Sequence, residues 1–433
     1  MPGRVIRRGV TALRLLPLLV LYVAVCAVGQ PGPEPVRDEA FLLGYVRDYL
    51  LAGAYLDPGA VDDRANFLWH GHGLPVVLTP LVALGLPLGA LRFTGPLLLW
   101  GALLAFHALV RPRLEPRRAL AATYALGLYG PFATVLVAVH KEPLAILAAV
   151  LALLGLARGL GDEGRWWHLA GAGGALGALT VVRLEYGWVL TALLGTALVW
   201  WVARRASPIP RRLAAVLALA LVLCLPWLVH TYAITGKVAY WGTSGGLSLY
   251  WMSPSTPGAT GTWHRPEAVA AQPALRSHRA LFASLPTDPV VRDLVLREAA
   301  VANIRADPLT YARNLAANTS RLFFLWPMEP PRRAPVVAGA VVFNGALLLG
   351  LAWAGPRLWR RRGALPPETL PFVLFAGLGI GVHLPPSAQP RMLLPLVPVV
   401  AWLITLAAEP LKPGLPASSQ APARSRTAAL DPA

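Results

Sequence analysis

Charged residues are scarce in this chain of 433 residues. Asp, Glu, Lys and Arg together make up 14% of it, against roughly 25% in a typical soluble domain. Cysteine occurs only twice, so there is no disulfide or zinc framework. Lysine occurs three times, and the net charge of +18 is weak evidence for nucleic-acid binding. The hydrophobic share of 56% and the mean hydropathy of +0.54 indicate instead a chain that contacts lipid along most of its length.

Long apolar runs take up most of the sequence. A membrane-spanning helix needs about 20 mostly apolar residues. The runs predict an all-α polytopic membrane protein with about ten transmembrane helices, near residues 10–29, 92–110, 119–139, 143–158, 168–182, 187–203, 213–231, 335–355, 368–384 and 392–408. One further apolar run, 74–91, is interrupted by three prolines and is ambiguous by itself.

Arginine-rich loops resolve the ambiguity. Short loops of this kind tend to stay in the cytoplasm, and this chain has four, at residues 4–8, 111–118, 204–212 and 357–362. All four fall on the N-terminal side only if 74–91 does not span. That run is therefore predicted to be interfacial or re-entrant. Both termini are then cytoplasmic, and the first apolar run is a retained anchor rather than a cleaved signal.

This topology predicts one transmembrane domain over 1–408 and a disordered cytoplasmic tail over 409–433. Two large segments face outward, at about 30–91 and 232–334, and the second lies between spans seven and eight. Residues 38–56 are predicted to form an interfacial helix with Phe41, Leu42, Tyr45, Tyr49 and Leu50 on its apolar side. Most polar residues that the spans do not explain then lie on the outward side.

The outward polar residues allow structural as well as chemical interpretations. Asp38-Glu39 can cap a helix or can act as an acid–base pair. His70 and His72 could hold a metal, but no third ligand is nearby, and interfacial aromatic packing explains them more simply. Arg183 can pair with Glu185. Arg391 stands at the start of a span, where a charge needs an anionic partner or a wet cavity.

The remaining outward features are a helix junction and a glycine loop. Lys141-Glu142-Pro143 can start a helix, with Glu142 before Pro143 and Lys141 reaching the interface. The loop from Thr243 through Gly245 and Gly246 could bring backbone N–H groups close to an anion. Helical spacing follows at 291–306 and 308–325. No phosphate loop, nucleophile elbow or zinc-binding helix motif occurs in the sequence.

Taken in order, these features resemble the GT-C superfamily of integral membrane glycosyltransferases, on the branch of protein O-mannosyltransferases and aminoarabinose transferases. The likeness covers roughly residues 30–400. The motifs that carry it are Asp38-Glu39, Gly73-Leu74-Pro75, Lys141-Glu142-Pro143-Leu144, the glycine-rich run Gly174 to Arg183, Leu225-Pro226-Trp227 with His230, Tyr232 and Gly236, Thr243 to Leu249, Ile304 to Pro308, and Arg391 to Pro398. Departures include Lys141 for a small residue and Met392 for tyrosine.

The resemblance implies an inverting transfer of a sugar from a polyprenyl-phosphate donor to an acceptor hydroxyl on the outer face of the bacterial plasma (inner) membrane. No nucleic acid is expected as a partner. It implies that Asp38 is the general base, with Glu39 orienting the acceptor or holding a divalent cation, which some members use. It makes Arg391, Arg183 and Lys141 the ligands of the donor phosphate. Acceptors in the family include proteins, lipids and glycans. The remaining pocket residues that it implies are His70, His72, Glu142, Glu185, Tyr186, His230, Tyr232, Thr243, Gly245 and Gly246.

Two other functions are compatible with the sequence. A transporter or flippase for a lipid-linked sugar would also need outward polar pockets, and inverted internal repeats, which are not apparent by eye, would favour it. A non-catalytic membrane assembly protein would leave Asp38 as a helix cap and Arg183–Glu185 as a structural pair. Turnover of a lipid-linked sugar by the purified protein in vesicles separates the enzyme from both.

The loop charges generate a topology prediction. A cysteine placed at Arg113 should resist an impermeant thiol reagent added outside the cell, whereas a cysteine within 255–285 should react, because the two positions lie on opposite sides in the ten-span arrangement. Labelling of intact cells measures this. Outside labelling at Arg113 would mean that 74–91 spans and that the predicted outward face is inverted.

Overall fold

The computed structural model describes residues 2–36, 38–53, 68–161, 164–254, 260–328 and 332–409. Every regular element within these ranges is a helix, so the predicted all-α class is confirmed. The predicted tail lies outside the described residues from position 410 onward, as do residues 54–56 of the predicted interfacial helix.

The helices follow one another with short connections. In chain order they are α1 Pro2–Gly29, α2 Asp38–Ala52, α3 Gly73–Ala83, α4 Leu88–Leu91, α5 Thr94–Val110, α6 Pro116–Gly127, α7 Glu142–Gly159, α8 Trp166–Val182, α9 Tyr186–Ala203, α10 Pro208–Leu223, α11 Leu225–Thr235, α12 Gly245–Met252, α13 Pro266–Ala271, α14 Arg279–Ala283, α15 Pro289–Ala306, α16 Pro308–Phe324, α17 Ala334–Arg360, α18 Thr369–Gly381 and α19 Val397–Ala408. Short 3-10 turns lie at Gly130–Val135, Pro273–His278, Arg362–Ala364 and Pro390–Leu396.

Several described helices are long and apolar enough to cross a membrane. Six stretches meet this condition: Ala12–Gly29, Leu88–Val110, Glu142–Gly159, Tyr186–Ala203, Ala334–Arg360 and Pro390–Ala408. A seventh arises if α10 and α11, which meet at a bend of 50°, count as one span. The chain is therefore a polytopic integral membrane protein. The predicted number of ten spans stays a prediction.

The other three predicted spans are helical but shorter or broken. Residues 119–139 do not form one helix, because α6 ends at Gly127 and a 3-10 turn begins at Gly130, where Pro131 has no N–H to continue the α-helical pattern. The predicted span 168–182 is α8, which has 17 residues, and 368–384 is α18, which has 13. These lengths lie at or below the short end of the range of about 17–25 residues.

Contacts between distant loops agree with the predicted grouping of loops on two sides. Arg113 pairs with Glu368 at 2.5 Å, and Arg212 donates to the carbonyl of Gly161 at 2.8 Å. Each pair joins segments that the loop charges assign to the same, arginine-rich side. Which of the two ends faces the cell exterior stays a prediction.

Helices α2 and α3 are the two longest described helices of residues 30–91 and pack on each other. Their contact buries Leu42 and Val46 of α2 against α3. Of the predicted apolar side of α2, Leu42 and Tyr45 are buried and Phe41 and Leu50 are exposed, while Val46 joins the buried contact with α3. The face is set by packing on α3, which residues 38–56 alone do not reveal. With 11 residues, α3 is too short to cross a bilayer as one helix.

A buried ion pair joins α2 to the start of the second long span. Arg92 donates from Nε and Nη2 to the two carboxylate oxygens of Glu39, at 2.9 and 2.7 Å. The backbone N–H groups of Val139 and Val36 donate to the same carboxylate at 2.8 and 3.1 Å. Both charged side chains are almost fully buried. Glu39 is thus a structural anchor between α2 and the start of this span.

The second outward segment is a small helical layer. Helix α12 packs on α15, and their buried contact includes Leu247, Trp251 and Leu296. Asp288 caps α15 by accepting from the N–H groups of Val290 and Val291. The predicted helices 291–306 and 308–325 correspond to α15 and α16.

The Glu39–Arg92 pair generates a stability prediction. Arg92→Leu should lower the free energy of unfolding by about 3–5 kcal/mol, because it leaves a buried carboxylate without its counter-charge. The double variant Arg92→Leu/Glu39→Gln should be more stable than the single one, since it leaves no unpaired buried charge and the single amide oxygen still accepts from one of the two backbone N–H groups, Val36 or Val139. Unfolding in detergent measures both.

The exposed pair Arg118–Glu115 supplies the control. Its atoms lie 3.7 Å apart and its side chains are mostly exposed, so Arg118→Leu should change stability by less than about 1 kcal/mol. A double variant no more stable than Arg92→Leu alone would show that charge burial is not the source of the loss.

Candidate active site

Charged side chains from several distant parts of the chain meet beside the outward segments. We call this set the charged cluster; its members are Asp38, His70, His140, Lys141, Glu142, Arg183, Glu185 and Arg391. It contains three carboxylates and three permanently basic side chains, so its formal charges balance. Of these eight, all but His140 are among the site residues that the sequence predicts.

Glu142 lies at the centre of the charged cluster and is fully buried. Its Oε1 accepts from Nη1 of Arg183 at 2.8 Å and lies 3.7 Å from Nε of Arg391. Its Oε2 lies 3.7 Å from Nδ1 of His140 and has no hydrogen-bond donor in the described residues. The position follows from the local sequence, because Pro143 starts α7 and sets Glu142 at its first turn.

Arg183 is held between two carboxylates. Its Nε donates to Oε1 of Glu185 at 2.7 Å while its Nη1 contacts Glu142, and the side chain is 1% exposed. The structural pairing of Arg183 with Glu185, which the sequence left open, is therefore present. These contacts orient Glu142 and leave little of the guanidinium for an incoming phosphate.

Asp38 and Arg391 are partly accessible members of the charged cluster, as is Glu185, whose side chain is 26% exposed. Oδ2 of Asp38 lies 2.7 Å from Nη2 of Arg391, and the two side chains are 19% and 25% exposed. Arg391 also approaches His140 Nδ1 at 3.5 Å. Burial alone would raise the pKa of Asp38, but the charges of Arg391 and Lys141 hold it well below its usual range.

His70 and Lys141 line the opposite side. Nζ of Lys141 lies 3.5 Å from Nδ1 of His70. Burial, followed by the charge of Lys141, lowers the pKa of His70 to about 3, so the imidazole is neutral at physiological pH. Gly71 brings this loop close, because a Cβ there would overlap the carbonyl oxygen of Val181 at the end of α8. In the sequence, the sign of this close contact is a glycine flanked by two histidines.

Two buried side chains lie behind the charged cluster. Tyr186 stacks on Phe375 with ring centroids 5.6 Å apart, and its ring meets that of His383 edge-on at 6.4 Å. The Tyr186 hydroxyl and His383 Nε2 have no hydrogen-bond partner in the described residues. The sequence predicts Tyr186 as a pocket residue but omits His383 and His140. Their location in short outward loops was the only available signal.

Several predicted site residues lie elsewhere. Glu39 faces Arg92 and is saturated there, which does not fit its predicted role with acceptor or metal. His72 packs edge-on against Trp227 at 4.8 Å, and Trp227 lies 6.5 Å from His230. This separate aromatic group explains both histidines by packing. Tyr232 is more than half exposed on α11.

The glycine loop contacts an anionic group, but this group is the carboxylate of Asp293 in the same chain. The N–H of Gly246 donates to Oδ1 of Asp293 at 2.5 Å, and Tyr240 donates to the other oxygen at 3.1 Å. A Cβ at Gly246 would overlap the Asp293 backbone, so glycine is required. At Gly246 the predicted anion contact is thus a structural link between α12 and α15.

The described residues contain no group of three His, Cys, Asp or Glu side chains placed to hold a metal ion. Glu39, which the family resemblance offers as a ligand, has its carboxylate oxygens occupied by Arg92 and by two backbone N–H groups. The residues that the structure describes therefore do not fit a bound divalent cation.

A buried asparagine positions the loop that carries Arg391. Nδ2 of Asn318 donates to the carbonyls of His383, Leu384 and Pro386 at 3.1, 2.9 and 2.9 Å. Its Oδ1 accepts from the N–H of Ala388 at 3.1 Å. One side chain of α16 therefore fixes four backbone groups between α18 and the turn at Pro390–Leu396.

Comparison with known proteins yields one structural likeness. No family model matches the chain, and no curated protein matches it. Among solved structures the chain is similar to the crystal structure of ArnT from Cupriavidus metallidurans bound to undecaprenyl phosphate. The identity is 18%, the TM-score is 0.43, and the match covers 93% of this chain and 78% of that one. The function is therefore argued from the residues of this chain.

The Asn318 contacts generate a conformational prediction. Asn318→Asp keeps the side-chain shape but cannot donate to three carbonyls, so the loop should loosen. A cysteine at Ala388, which is 2% exposed in the native fold, should then react with a thiol reagent at least about tenfold faster, as expected when several buried carbonyls lose their donors.

The matched control is Asn314→Asp, one turn earlier on α16. Asn314 is also buried but donates to the carbonyl of Met252 at 3.0 Å, away from this loop. The rate at position 388 should stay unchanged in that variant. Equal rates in both variants would contradict the positioning role of Asn318.

Proposed function

We propose that the chain is a membrane glycosyltransferase that moves a sugar from a polyprenyl-phosphate donor to an acceptor hydroxyl at the outer face of the membrane, with inversion. The observation that supports this most is the accessible pair of Asp38 and Arg391, 2.7 Å apart, at the edge of a buried charged cluster. The reaction needs one base for the acceptor proton and cations for the leaving phosphate.

Arg391 is the proposed ligand of the donor phosphate. Its guanidinium is partly exposed, and apart from Asp38 its neighbours Glu142 and His140 lie 3.5 Å or more away. Arginine can bind phosphate through two parallel N–H donors. Lys141 lies in the same cluster as a second cation. Arg183 is proposed to orient Glu142 rather than to bind phosphate, because Glu142 and Glu185 already occupy it.

Asp38 is the proposed general base. It removes the proton of the acceptor hydroxyl as the oxygen attacks the anomeric carbon from the face opposite the phosphate. The new bond joins acceptor oxygen to anomeric carbon, and the bond between that carbon and the phosphate oxygen breaks. The electron pair leaves with the lipid phosphate, next to Arg391, and the proton stays on Asp38 until solvent or product takes it.

The ion pair links donor binding to base strength. While Arg391 contacts Asp38, it holds the pKa of this carboxylate low, and a weakly basic carboxylate is a poor proton acceptor. A phosphate that binds Arg391 removes that stabilisation and adds negative charge nearby, and both effects raise the pKa of Asp38. The donor thus prepares the base for the acceptor.

The outward orientation of this reaction is part of the proposal. The charged cluster is built from segments that the loop charges assign to one side, whereas Arg113–Glu368 and Arg212–Gly161 join segments assigned to the other. The arginine-rich loops belong to the latter group. Under the positive-inside rule the charged cluster therefore faces outward.

Two substitutions should separate base from phosphate ligand. Asp38→Asn should slow transfer at least about a hundredfold, since an amide cannot accept the proton, without weakening donor binding, because Arg391 is released from its partner. Arg391→Ala should mainly raise the KM for the lipid donor, and Arg391→Lys should restore it in part. Turnover of lipid-linked sugar in vesicles, with an acceptor mixture and mass detection, gives both parameters.

Asp288→Asn is the matched control. Asp288 also precedes a helix, but it only caps α15, and Asn caps about as well as Asp, so turnover should be normal. If Asp38→Asn behaved like this control, Asp38 would be a structural residue and the proposed mechanism would be wrong. Unchanged donor KM in Arg391→Ala would remove the phosphate assignment.

A further inference from the structure

A cleft in the second outward segment lies beside the charged cluster. Helices α12, α13, α14 and α15 surround it, and Trp69 from the loop before α3 completes one wall. Its volume is about 870 Å³, within the range of roughly 300–1,000 Å³ that is usual for small-molecule sites. None of the chemistry proposed above uses it.

One loop forms a wall of both sites. Trp69 lines the cleft, and the next residue, His70, contacts Lys141 in the charged cluster. The two rings stack with centroids 6.4 Å apart at 19°, and Trp69 also meets Trp263 at 5.9 Å. The N–H of Thr243, which also lines the cleft, donates a hydrogen bond to the carbonyl of Leu68. This contact fixes the loop. An occupant of the cleft would therefore lie next to the charged cluster.

The walls of the cleft are mostly apolar. Leu247, Val269, Phe282 and Leu296 contribute them, one from each surrounding helix. The rings of Trp69 and Phe282 are partly exposed and offer an apolar face to a sugar ring, whereas Leu247, Val269 and Leu296 are almost fully buried.

The charged lining favours an anion. Arg279, Arg292 and Asp293 are the charged residues that line the cleft among those the structure describes. Asp293 is 1% exposed, and its carboxylate is occupied by Gly246, Tyr240 and Arg297. Arg279 is exposed and donates to the neutral carbonyls of Val269 and Ala270. The surface that a ligand meets is therefore positive.

We infer that this cleft binds the acceptor, and that the acceptor is a saccharide carrying a phosphate or carboxylate group. This rests on the proposed function, which requires an acceptor hydroxyl next to Asp38. The apolar wall receives the sugar ring, the guanidinium of Arg279 receives the anionic group, and the Trp69–His70 wall directs the rest of the molecule towards the charged cluster.

Equilibrium dialysis of the purified full chain in detergent tests the inference. The radiolabelled probes are N-acetylglucosamine 1-phosphate, N-acetylglucosamine and inorganic phosphate. The sugar phosphate should bind more tightly than either of the other two. Ala283→Trp should weaken that binding at least about tenfold, because the larger side chain fills the cleft. Arg279→Gln should weaken it at least about tenfold, because the ligand loses a charged hydrogen-bond partner.

Arg276→Gln is the control, because Arg276 lies in the turn just before α14 but does not line the cleft. It should bind the probe like the parent. Binding that is equal in the parent, Ala283→Trp and Arg279→Gln would overturn the inference. Equal affinity for inorganic phosphate and for the sugar phosphate would overturn its saccharide part.

A second measurement on the same samples keeps the two proposals apart. Binding of undecaprenyl phosphate should be lost in Arg391→Ala and unchanged in Ala283→Trp. If the lipid phosphate binds in this way but the sugar phosphate does not bind, the cleft inference is wrong and the proposed function stands. If lipid-phosphate binding does not depend on Arg391, the proposed phosphate site is wrong whatever the cleft binds.

Discussion

The buried carboxylate of Glu142 is the constraint on which the whole charged cluster depends. A charge removed from water must be paired, and breaking such a pair is far more costly than never forming it. Glu142 accepts from Arg183 at 2.8 Å and lies near Arg391 and His140. The start of α7, the junction between α8 and α9, and the turn before α19 must therefore converge on one point.

Backbone contacts then set the distances around that point. Gly71 allows its loop to touch the end of α8, and Asn318 fixes the loop that leads to Arg391. Gly246 likewise allows α12 to contact Asp293 of α15. In each case a glycine or an asparagine allows two chain segments to come together, and the charged side chains lie where those segments meet.

Much of this site is predictable because polar residues are conspicuous in an apolar chain. Asp38, Lys141, Glu142, Arg183 and Arg391 stand out at the ends of apolar runs, and the loop charges assign them to one side. That reasoning finds which residues share a side.

Reasoning from the sequence does not show which of these side chains contact one another. The partner of Glu39 is 53 positions away at Arg92, a residue that looks like an ordinary charge at the edge of a span. Whether Gly246 meets a ligand or Asp293, and which face of α2 is buried, both depend on packing between segments far apart in sequence. Local pattern carries no information about either.

The two adjacent acidic residues at the start of α2 differ in how they are held. Glu39 is tied to Arg92 and to two backbone N–H groups, so the first turn of α2 is anchored. Arg391 contacts Asp38 from the end of a long side chain with several rotatable bonds. In the proposed mechanism the guanidinium is therefore the partner expected to move when the ion pair opens, and the anchored turn keeps Asp38 as a reference point for an incoming hydroxyl.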